Sequence, residues 1–391
     1  MGMSRITRRT IGAAALAAAL GLAVAVQAQQ RPDPASITAA GDGPYVTPGP
    51  SRGWLARGVS PELTPVEQRI APRGAITVGA VGEVPAFTVL LRPPVQGQGA
   101  DTLPLSPDAR LMVLADTHGE YEIVVEFLRR QGVIDANLRW AFGDGQMVVT
   151  GDMFDRGAHQ LEILWLFYKL EAEARAAGGA LHVLLGNHDS MNLRGDLRYL
   201  HPRYPQTAAI LGAASYTDLF TAESVLGDWL RSRPAVLKLG DLLLAHGGIS
   251  PQVVDAGLTV ADINAGIRRS LDTPVARKDE LDPVAALVAG TFGPQWFRGY
   301  FPEQARPDRP YTPRADVERS LEFYGVSRIL VGHTIVDQVS PLYGGRVIAV
   351  QVYPKWDDRT GRPILEAAMR DGGRWFGVNA QGERRMLIMG D

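Results

Sequence analysis

Short apolar runs that each end in a cluster of Gly, Asp and His are the feature of this sequence that most constrains its fold. The runs occupy residues 111–114, 147–149, 181–185, 242–245 and 329–331. Apolar runs of this length, bounded by turn-forming residues, are typical of buried β-strands. Helical patterns lie between several of them, most clearly over residues 160–177, where apolar side chains recur at helical spacing. The alternation predicts an α/β fold in which polar side chains converge at the carboxyl ends of the core strands.

The composition excludes several classes of function. The 391 residues carry 40 basic and 42 acidic side chains, a formal net charge of -2, without a long run of either sign. Such a balance argues against a broad nucleic-acid-binding surface. The sequence contains no cysteine, which rules out disulfides, thiolate metal sites and cysteine nucleophiles. Any protein ligand to a metal must therefore be His, Asp, Glu or Asn.

Residues 1–28 resemble an export signal. Three arginines within the first nine residues precede an uncharged run over residues 11–26, and Val26-Gln27-Ala28 ends it with cleavage-type spacing. We expect cleavage after Ala28 and a periplasmic or secreted protein without a stable membrane span. Residues 7–11 (TRRTI) are also similar to a twin-arginine signal. The alternative is a membrane anchor, but the run is shorter than the ~20 residues that a span needs.

The rest of the chain is predicted to have three kinds of segment. Residues 29–75 are rich in Pro, Gly, Ser and Ala, which favours a linker of low order or a segment draped over the domain. One large folded domain is expected over residues 76–391, beginning with short strands at 76–78 and 86–91. Helix-like stretches near 196–235 and 251–290 are interpreted as helical insertions or a cap.

Five polar clusters follow the apolar runs in chain order. They are residues 115–119 (ADTHG), 151–157 (GDMFDRG), 186–189 (GNHD), 246–248 (HGG) and 332–334 (GHT). Together these clusters resemble the signature blocks of the phosphoprotein phosphatase family of calcineurin-like metallophosphoesterases. The resemblance extends over about residues 111–350 and implies a central β-sandwich flanked by helices, with a helical insertion.

The resemblance implies two divalent metal ions, Mn, Fe or Zn, all of which accept nitrogen and oxygen ligands. The implied metal ligands are Asp116, His118, Asp152, Asn187, His246 and His333. Asp116 and His118 would hold the first metal, Asp152 would bridge both, and the other three would complete the second. Two metals in such a site activate a bridging hydroxide that attacks a phosphate monoester directly.

Four further residues are expected to act on the substrate. His188 resembles the general acid of the family, and Asp155 would orient it and keep it protonated. Arg156 lies inside its block, and Arg298 stands among aromatic and Gly residues at 293–299. Both arginines are candidate phosphate ligands, because a guanidinium offers forked, charged donors. The alternative for Arg298 is a stacking or surface arginine. The remaining histidines, His159, His182 and His201, are expected to be packed or solvated.

Two separate stretches indicate the branch of the family. Residues 186–199 (GNHDSMNLRGDLRY) and 293–300 (GPQWFRGY) resemble the Shewanella-like phosphatases of bacteria and plants. This branch implies phosphorylated proteins, including phosphotyrosine, or small aryl phosphates as substrates. Arg194 and Arg198 in the first stretch are expected either to help bind substrate or to lie on a solvated helix face. The sequence departs from the pattern at Ala115, Asp189 and Gln351.

Two other functions remain open from the sequence. A dinucleoside polyphosphate hydrolase or phosphodiesterase would use the same fold and metals with a different cleft. An exported binding protein would keep the fold without the reaction. For a phosphatase, as for a dinucleoside polyphosphate hydrolase, the expected partner is a phosphorylated substrate. Nucleic acid is not an expected partner.

Overall fold

The computed structural model describes residues 41–93 and 100–388. Strands come first along these residues: β1 (Asp42–Pro48), β2 (Trp54–Val59), β3 (Pro65–Ile70), β4 (Ala75–Val78), β5 (Phe87–Leu90) and β6 (Thr102–Leu103). Strands and helices then mix: β7 (Leu111–Leu114), α1 (Tyr121–Arg130), β8 (Gln146–Val149), α2 (Gln160–Ala176), β9 (Ala180–Val183), α3 (Asn187–Leu193), α4 (Arg203–Ile210), α5 (Val225–Arg231), β10 (Val236–Leu239), β11 (Leu242–Ala245), α6 (Pro251–Asp255), α7 (Val260–Leu271), α8 (Pro283–Ala289) and α9 (Arg314–Tyr324). Strands also end the described residues: β12 (Arg328–Val331), β13 (Ser340–Leu342), β14 (Val347–Ala349), β15 (Lys355–Trp356), β16 (Pro363–Ile364), β17 (Glu366–Asp371), β18 (Arg374–Asn379) and β19 (Arg384–Ile388).

Two six-stranded mixed sheets pack face to face at the centre of the fold. Their strand orders are β19-β18-β17-β7-β8-β9 and β13-β14-β12-β11-β10-β6. Leu111 and Val113 of the first sheet share one apolar cluster with Leu242 and Leu244 of the second. The alternate residue Met112 belongs to the other large cluster, which includes helix residues. Because β7 is buried on both faces, its sequence is a continuous apolar run and does not alternate. The predicted α/β sandwich flanked by helices is therefore confirmed.

Strand register brings the predicted polar clusters to one edge of the sandwich. The strands β7, β8 and β9 are parallel, and their pairing sets Leu114 beside Val149 and Val149 beside Val183. In the second sheet, β11 pairs in parallel with β12 and sets Ala245 beside Val331. The residues that follow these strands leave the sheets at the same edge, as expected for a site at the carboxyl ends of parallel strands.

The predicted low order of residues 29–75 is wrong for residues 42–70. The strands β1, β2 and β3 form an antiparallel sheet, and the indole nitrogen of Trp165 on α2 donates a 3.0 Å hydrogen bond to the carbonyl of Pro44. The segment is thus draped over the domain, which was the other expectation. Although Pro and Gly are frequent in this segment, it also contains a small set of side chains that are buried in the fold, including Tyr45 and Trp54. Residues 1–40, which include the predicted export signal, lie outside the described residues.

The other predicted elements are found in the structure. The two short strands are the antiparallel pair β4 and β5, and the helix predicted over residues 160–177 is α2. Residues 196–235 contain α4 and α5, and residues 251–290 contain α6, α7 and α8. The domain boundary at residue 76 stays a prediction. Throughout residues 41–93 and 100–388, the structure contains no helix with the length and apolar character needed to cross a membrane.

Candidate metal centre

Five loops at the shared edge of the sandwich carry the predicted metal ligands. The loops follow β7, β8, β9, β11 and β12. All six side chains are buried, each at most 6% exposed: Asp116, His118, Asp152, Asn187, His246 and His333. Charged and polar side chains are this deeply buried only when they are paired or bind a ligand, so the cluster is a candidate functional site.

The loops hold several of these residues in a strained backbone conformation. His118, Asp152 and His333 have φ angles of 43°, 55° and 61°, in the left-handed region that residues other than glycine rarely adopt. The strain is supported locally, because the backbone N–H groups of Thr117 and His118 both donate 3.0 Å hydrogen bonds to the carbonyl of Asp152. The first two loops are therefore tied together.

Glycines allow the second and third loops to touch. Gly151 has a φ of +106°, and a Cβ there would lie 2.1 Å from the backbone nitrogen of Gly186. A Cβ on Gly186 would lie 2.0 Å from Oδ1 of Asp152. Only glycine fits at either position without moving the neighbouring loop.

Asp152 lies at the centre of the cluster. Its Oδ2 atom is 3.1 Å from Nε2 of His246, 3.8 Å from Nε2 of His118 and 3.9 Å from Nε2 of His188. Two groups of side chains could each hold a metal ion, and Asp152 belongs to both: His118, Asp152 and His188, and Asp152, His246 and His333. The arrangement fits a dinuclear site in which this carboxylate is shared, as the family resemblance implies.

Hydrogen bonds orient two of the histidines for metal binding. Nδ1–H of His118 donates to the carbonyl of Phe154 at 2.9 Å, and Nδ1–H of His246 donates to that of Thr150 at 3.0 Å. Each ring then presents Nε2 to the cluster, the usual arrangement for histidines that bind metal. Nε2 of His118 and Nε2 of His333 are buried and have no hydrogen-bond partner within the described residues. These unpartnered nitrogens fit divalent ions.

Two of the other predicted ligands extend the same contact network. Oδ1 of Asn187 lies 3.0 Å from Nε2 of His246. Oδ2 of Asp116 lies 3.6 Å from Nε2 of His118, and the backbone N–H of His333 donates to Oδ1 of Asp116 at 3.2 Å. The structure therefore brings all six predicted ligands into one network of contacts.

The charges in the cluster match an N/O ligand set. Burial would raise the pKa of Asp152, but the neighbouring His246 and His188 outweigh burial and hold it well below its usual value. Burial lowers the pKa of His118 and of His333, which favours the neutral imidazole that a metal ion requires. Burial would also lower the pKa of His246, but Asp152 and Asp116 raise it to about 9. A cation is thus favoured between these carboxylates.

His188 and Asp155 form a short hydrogen-bonded pair. Nδ1–H of His188 donates to Oδ2 of Asp155 at 2.6 Å, and the amide of Asn192 donates to Oδ1 of Asp155 at 2.8 Å. The pair directs Nε2 of His188 toward Asp152. Because His188 also belongs to one candidate metal group, its role as general acid stays a prediction.

Arg298 is bound to the loop that carries His333. Its Nη1 donates to the carbonyl of His333 at 2.9 Å and to Oγ1 of Thr334 at 3.2 Å. Burial lowers the pKa of Arg298, and Asp116 and Asp152 act on it in the opposite direction. Arg298 is therefore fixed beside the cluster and is not a freely solvated surface arginine. Its role in phosphate binding stays a prediction.

Arg156 is also close to the cluster. Its guanidinium lies 5.4 Å from the centre of the Tyr353 ring, and its charge contributes to the lowered pKa of His118. The two other arginines considered in the sequence bind elsewhere: Nε of Arg194 donates to the carbonyl of Thr273 at 2.9 Å, and Nε of Arg198 donates to Asp196 at 2.8 Å.

Supporting residues were missed by the sequence analysis. Asp189 was noted only as a departure from the family pattern, yet its carboxylate accepts hydrogen bonds of 2.8 Å from the backbone N–H groups of Asp152 and Gly186. Burial, together with the charge of Asp152, raises the pKa of Asp189 to about 6, and the backbone donors act in the opposite direction. The side chain of Gln295 donates to the carbonyls of Leu185 and Gly186 at 2.9 Å. Gln295 lies within residues 293–299, the stretch that also contains Arg298. Its position in this stretch is the sequence signal that could have indicated a role at the site.

Two cavities differ in their relation to the cluster. One, of about 220 Å³, is lined by Arg298 together with aromatic side chains that include Phe292 and Tyr311. A larger one, of about 550 Å³, is lined by Trp54 and His182 among others, and by none of the predicted ligands. None of the six predicted metal ligands lines either cavity, but Arg298, which lines the smaller one, also donates a hydrogen bond to the carbonyl of His333.

Comparison with known proteins identifies the family of this site. The sequence profile of the calcineurin-like phosphoesterases matches residues 109–337. Shewanella-like protein phosphatase 2 of Arabidopsis thaliana is 26% identical over 68% of this chain and 76% of its own length. A crystal structure of a cold-active protein-tyrosine phosphatase from a psychrophilic Shewanella species is 32% identical, with a TM-score of 0.77, and the match covers 89% of this chain and 99% of that one. A symmetrical bis(5'-nucleosyl)-tetraphosphatase of Vibrio cholerae is 37% identical, but over only 26% of this chain and 34% of its own length.

Proposed function

Because this chain belongs to the calcineurin-like phosphoesterases and is a metallophosphatase of the Shewanella-like branch, we propose that it hydrolyses phosphate monoesters with aromatic leaving groups. Phosphotyrosine in proteins and small aryl phosphates are the substrates that we infer. The observation that carries this proposal is the position of Arg298, which contacts the His333 loop and also lines a cavity with aromatic walls.

The metals would be held by the residues of the cluster. Asp116 and His118 are proposed for one ion, and Asn187, His246 and His333 for the other. Asp152 is shared by both groups that could hold a metal, while Asp116 and Asn187 are included for their contacts with His118 and His246. Divalent ions in such a site supply Lewis acidity and lower the pKa of water. Manganese, iron and zinc are all suited to this ligand set.

The protein's own side chains would orient the substrate and supply a proton. Arg156 and Arg298 would hold the phosphate oxygens, because their planar guanidinium groups match that geometry. His188 would donate the proton on Nε2 to the leaving oxygen. Asp155 holds the opposite nitrogen of that ring at 2.6 Å, which fixes the direction of the transfer.

The preference for an aryl group rests on two supports. The side chains of Phe292, Phe297 and Tyr311 line the cavity beside Arg298, and an aromatic ring packs favourably against such side chains. The Shewanella protein that resembles this chain over 89% of its length is described as a protein-tyrosine phosphatase.

A dinucleoside polyphosphate hydrolase is the second candidate function. The match to the tetraphosphatase of Vibrio cholerae favours it, but the match spans 104 residues. A phosphomonoesterase and a dinucleoside polyphosphate hydrolase would use the same metal-binding loops. A match of this length therefore supports a shared fold and shared metal ligands more than it supports a shared substrate.

We further propose that the protein is exported. The support is the pattern of residues 1–28, with three arginines before an uncharged run. Expression of the full chain in a Gram-negative host, followed by fractionation and N-terminal sequencing, tests this proposal. A periplasmic product that begins at Gln29 is expected, and an intact cytoplasmic chain would contradict export.

A panel of three substrates tests the catalytic proposal. The purified protein is loaded with Mn and assayed on a phosphotyrosine peptide, the matched phosphoserine peptide and diadenosine tetraphosphate. We expect kcat/KM to be highest for the phosphotyrosine peptide. Faster cleavage of diadenosine tetraphosphate would favour the second candidate, and no turnover of any of the three with metals bound would favour a binding protein.

A further inference from the structure

A buried hydrogen-bond chain connects the His188–Asp155 pair to helix α2. The backbone N–H of Asp155 donates to Oε1 of Gln160 at 2.7 Å. The amide nitrogen of Gln160 donates in turn to the hydroxyl of Tyr216 at 2.9 Å. The Gln160 side chain is fully buried, with an exposed fraction of 0%. Both ends of this amide are therefore used, and its orientation is fixed by the two bonds together.

Asp155 needs support from its surroundings. Its φ angle is 72°, and that of Arg156 is 68°. Two successive residues in the left-handed region cost free energy and persist only where neighbouring groups hold them. Gln160 holds the first of them, and the carbonyl of Tyr199 accepts a 3.0 Å hydrogen bond from the backbone N–H of Arg156.

The chain continues beyond Tyr216 to the sheet at the start of the described residues. The hydroxyl of Tyr45 donates to Oδ2 of Asp42 at 2.9 Å and lies 3.3 Å from the hydroxyl of Tyr216. Tyr45 is on β1, in the segment that the sequence analysis assigned to a linker. The strand β1 thus contacts the far end of the chain that begins at Asp155.

We propose that Gln160 is a positioning residue for the His188–Asp155 pair, supported by Tyr216. Gln160 is fully buried and is not among the predicted metal or phosphate ligands. It fixes the strained backbone of Asp155, and through it the carboxylate that orients His188. The inference rests on the proposed function, because the pair is taken to protonate the leaving oxygen.

The test is a Gln160→Leu variant with a matched control. Leucine removes the acceptor of the Asp155 N–H, whereas Gln160→Glu keeps an acceptor at the same place. The control is Asn264→Leu, since Asn264 is also a buried amide, 1% exposed, and also accepts a backbone hydrogen bond, from Ala235 at 2.8 Å. Asn264 is not among the residues of the site.

The first readout is the dependence of kcat on the leaving group. For Gln160→Leu, kcat on an alkyl phosphate should fall by roughly 10- to 100-fold, the usual effect of losing a supporting hydrogen bond behind a functional residue. The fall for p-nitrophenyl phosphate should be smaller, since its leaving group needs little protonation. KM and metal content should stay unchanged in Gln160→Leu, and Gln160→Glu should recover much of the lost kcat. In Asn264→Leu, the ratio of kcat on the alkyl phosphate to kcat on p-nitrophenyl phosphate should equal that of the wild type.

A second readout does not depend on turnover. In the protein loaded with zinc, which is diamagnetic, the proton in the 2.6 Å bond between His188 and Asp155 should give a downfield ¹H NMR resonance, which is assigned by its loss in His188→Ala. The resonance should shift or broaden in Gln160→Leu and, more weakly, in the milder Tyr216→Phe variant, but not in Asn264→Leu. An unchanged resonance in a folded Gln160→Leu protein, or equal loss of rate on both substrates, would overturn the inference. Failure of the proposed function would instead appear as a wild-type protein that turns over neither ester.

Discussion

Oδ2 of Asp152 lies 3.1 Å from Nε2 of His246, the shortest of its distances to the three histidines around it. The same carboxylate belongs to both groups that could hold a metal. A single substitution at this residue should therefore affect both ions.

The first prediction is that Asp152→Asn loses metal at both positions. An amide is neutral and a weaker ligand than a carboxylate, so two cations would face each other with less compensating charge. Metal content per chain, measured by mass spectrometry after gel filtration, should fall below one, and turnover should be nearly abolished. The exposed Asp144 offers a control, since Asp144→Asn should keep both metals. Two tightly bound metals in Asp152→Asn would contradict the shared ligand.

The substitution His188→Ala distinguishes between two roles of this residue, general acid and metal ligand. His188→Ala should lower turnover of an alkyl phosphate by roughly 10²- to 10⁴-fold, the range for loss of a general acid. The loss should be smaller for p-nitrophenyl phosphate, and metal content should not change. His159→Ala, which removes a half-buried histidine outside the predicted ligands, is the control. If His188→Ala instead loses one metal, His188 is a ligand and not the acid.

Arg298 should be sensitive to a substitution that keeps its charge. Arg298→Lys cannot present the same planar fork, so kcat/KM for a phosphotyrosine peptide should fall while the fold and metals remain. In Arg298→Ala, kcat/KM should fall further, by roughly 10²-fold, because a hydrogen-bond donor to the developing negative charge is lost. Inhibition by inorganic phosphate should weaken in the same order. Arg314→Ala serves as control, because Arg314 pairs with Glu318 on the surface; unchanged kinetics in Arg298→Ala would make Arg298 structural.

Acid should destabilise the protein partly through His182. This ring lies on β9, and its Nε2–H donates to Oε1 of Gln146 at 3.2 Å. Burial lowers the pKa of His182 to about 4, with Glu171 acting to raise it and Arg233 to lower it further. In the unfolded chain the ring titrates near 6.5. Above pH 6.5 the ring is neutral in both the folded and the unfolded chain. As the pH falls from 6.5 towards 4, the unfolded chain takes up a proton that the buried ring does not, so the free energy of unfolding decreases over this interval.

The measurement for His182 is the free energy of unfolding at pH 7 and pH 5. The ring should account for a loss of about 1 kcal/mol between these values, after allowance for its partial exposure. His182→Gln removes the titration and should lose less stability over the same interval. Equal losses in the two proteins would show that the ring does not control this part of the pH dependence.

The fold and the cluster were predictable because local patterns carry them. Each core strand is a short apolar run, and parallel pairing, as between Leu114 and Val149, brings the following residues to one edge. The side-chain supports were not predictable in this way. Gln295 binds the carbonyl of Gly186 from 109 positions away, and no periodicity in the sequence reports such a contact. Residues 42–70 were missed because their apolar residues are few and Pro and Gly dominate the composition.

The hydrogen bond from Nη1 of Arg298 to the carbonyl of His333 joins the proposed phosphate ligand to a loop that would carry metal. A guanidinium bound to phosphate would hold that loop in place, and a metal bound to His333 would hold the guanidinium in place. By thermodynamic reciprocity, whatever factor phosphate adds to metal affinity, metal adds to phosphate affinity. Inorganic phosphate should therefore slow the loss of metal to a chelator in the wild-type protein. In Arg298→Ala that protection should weaken.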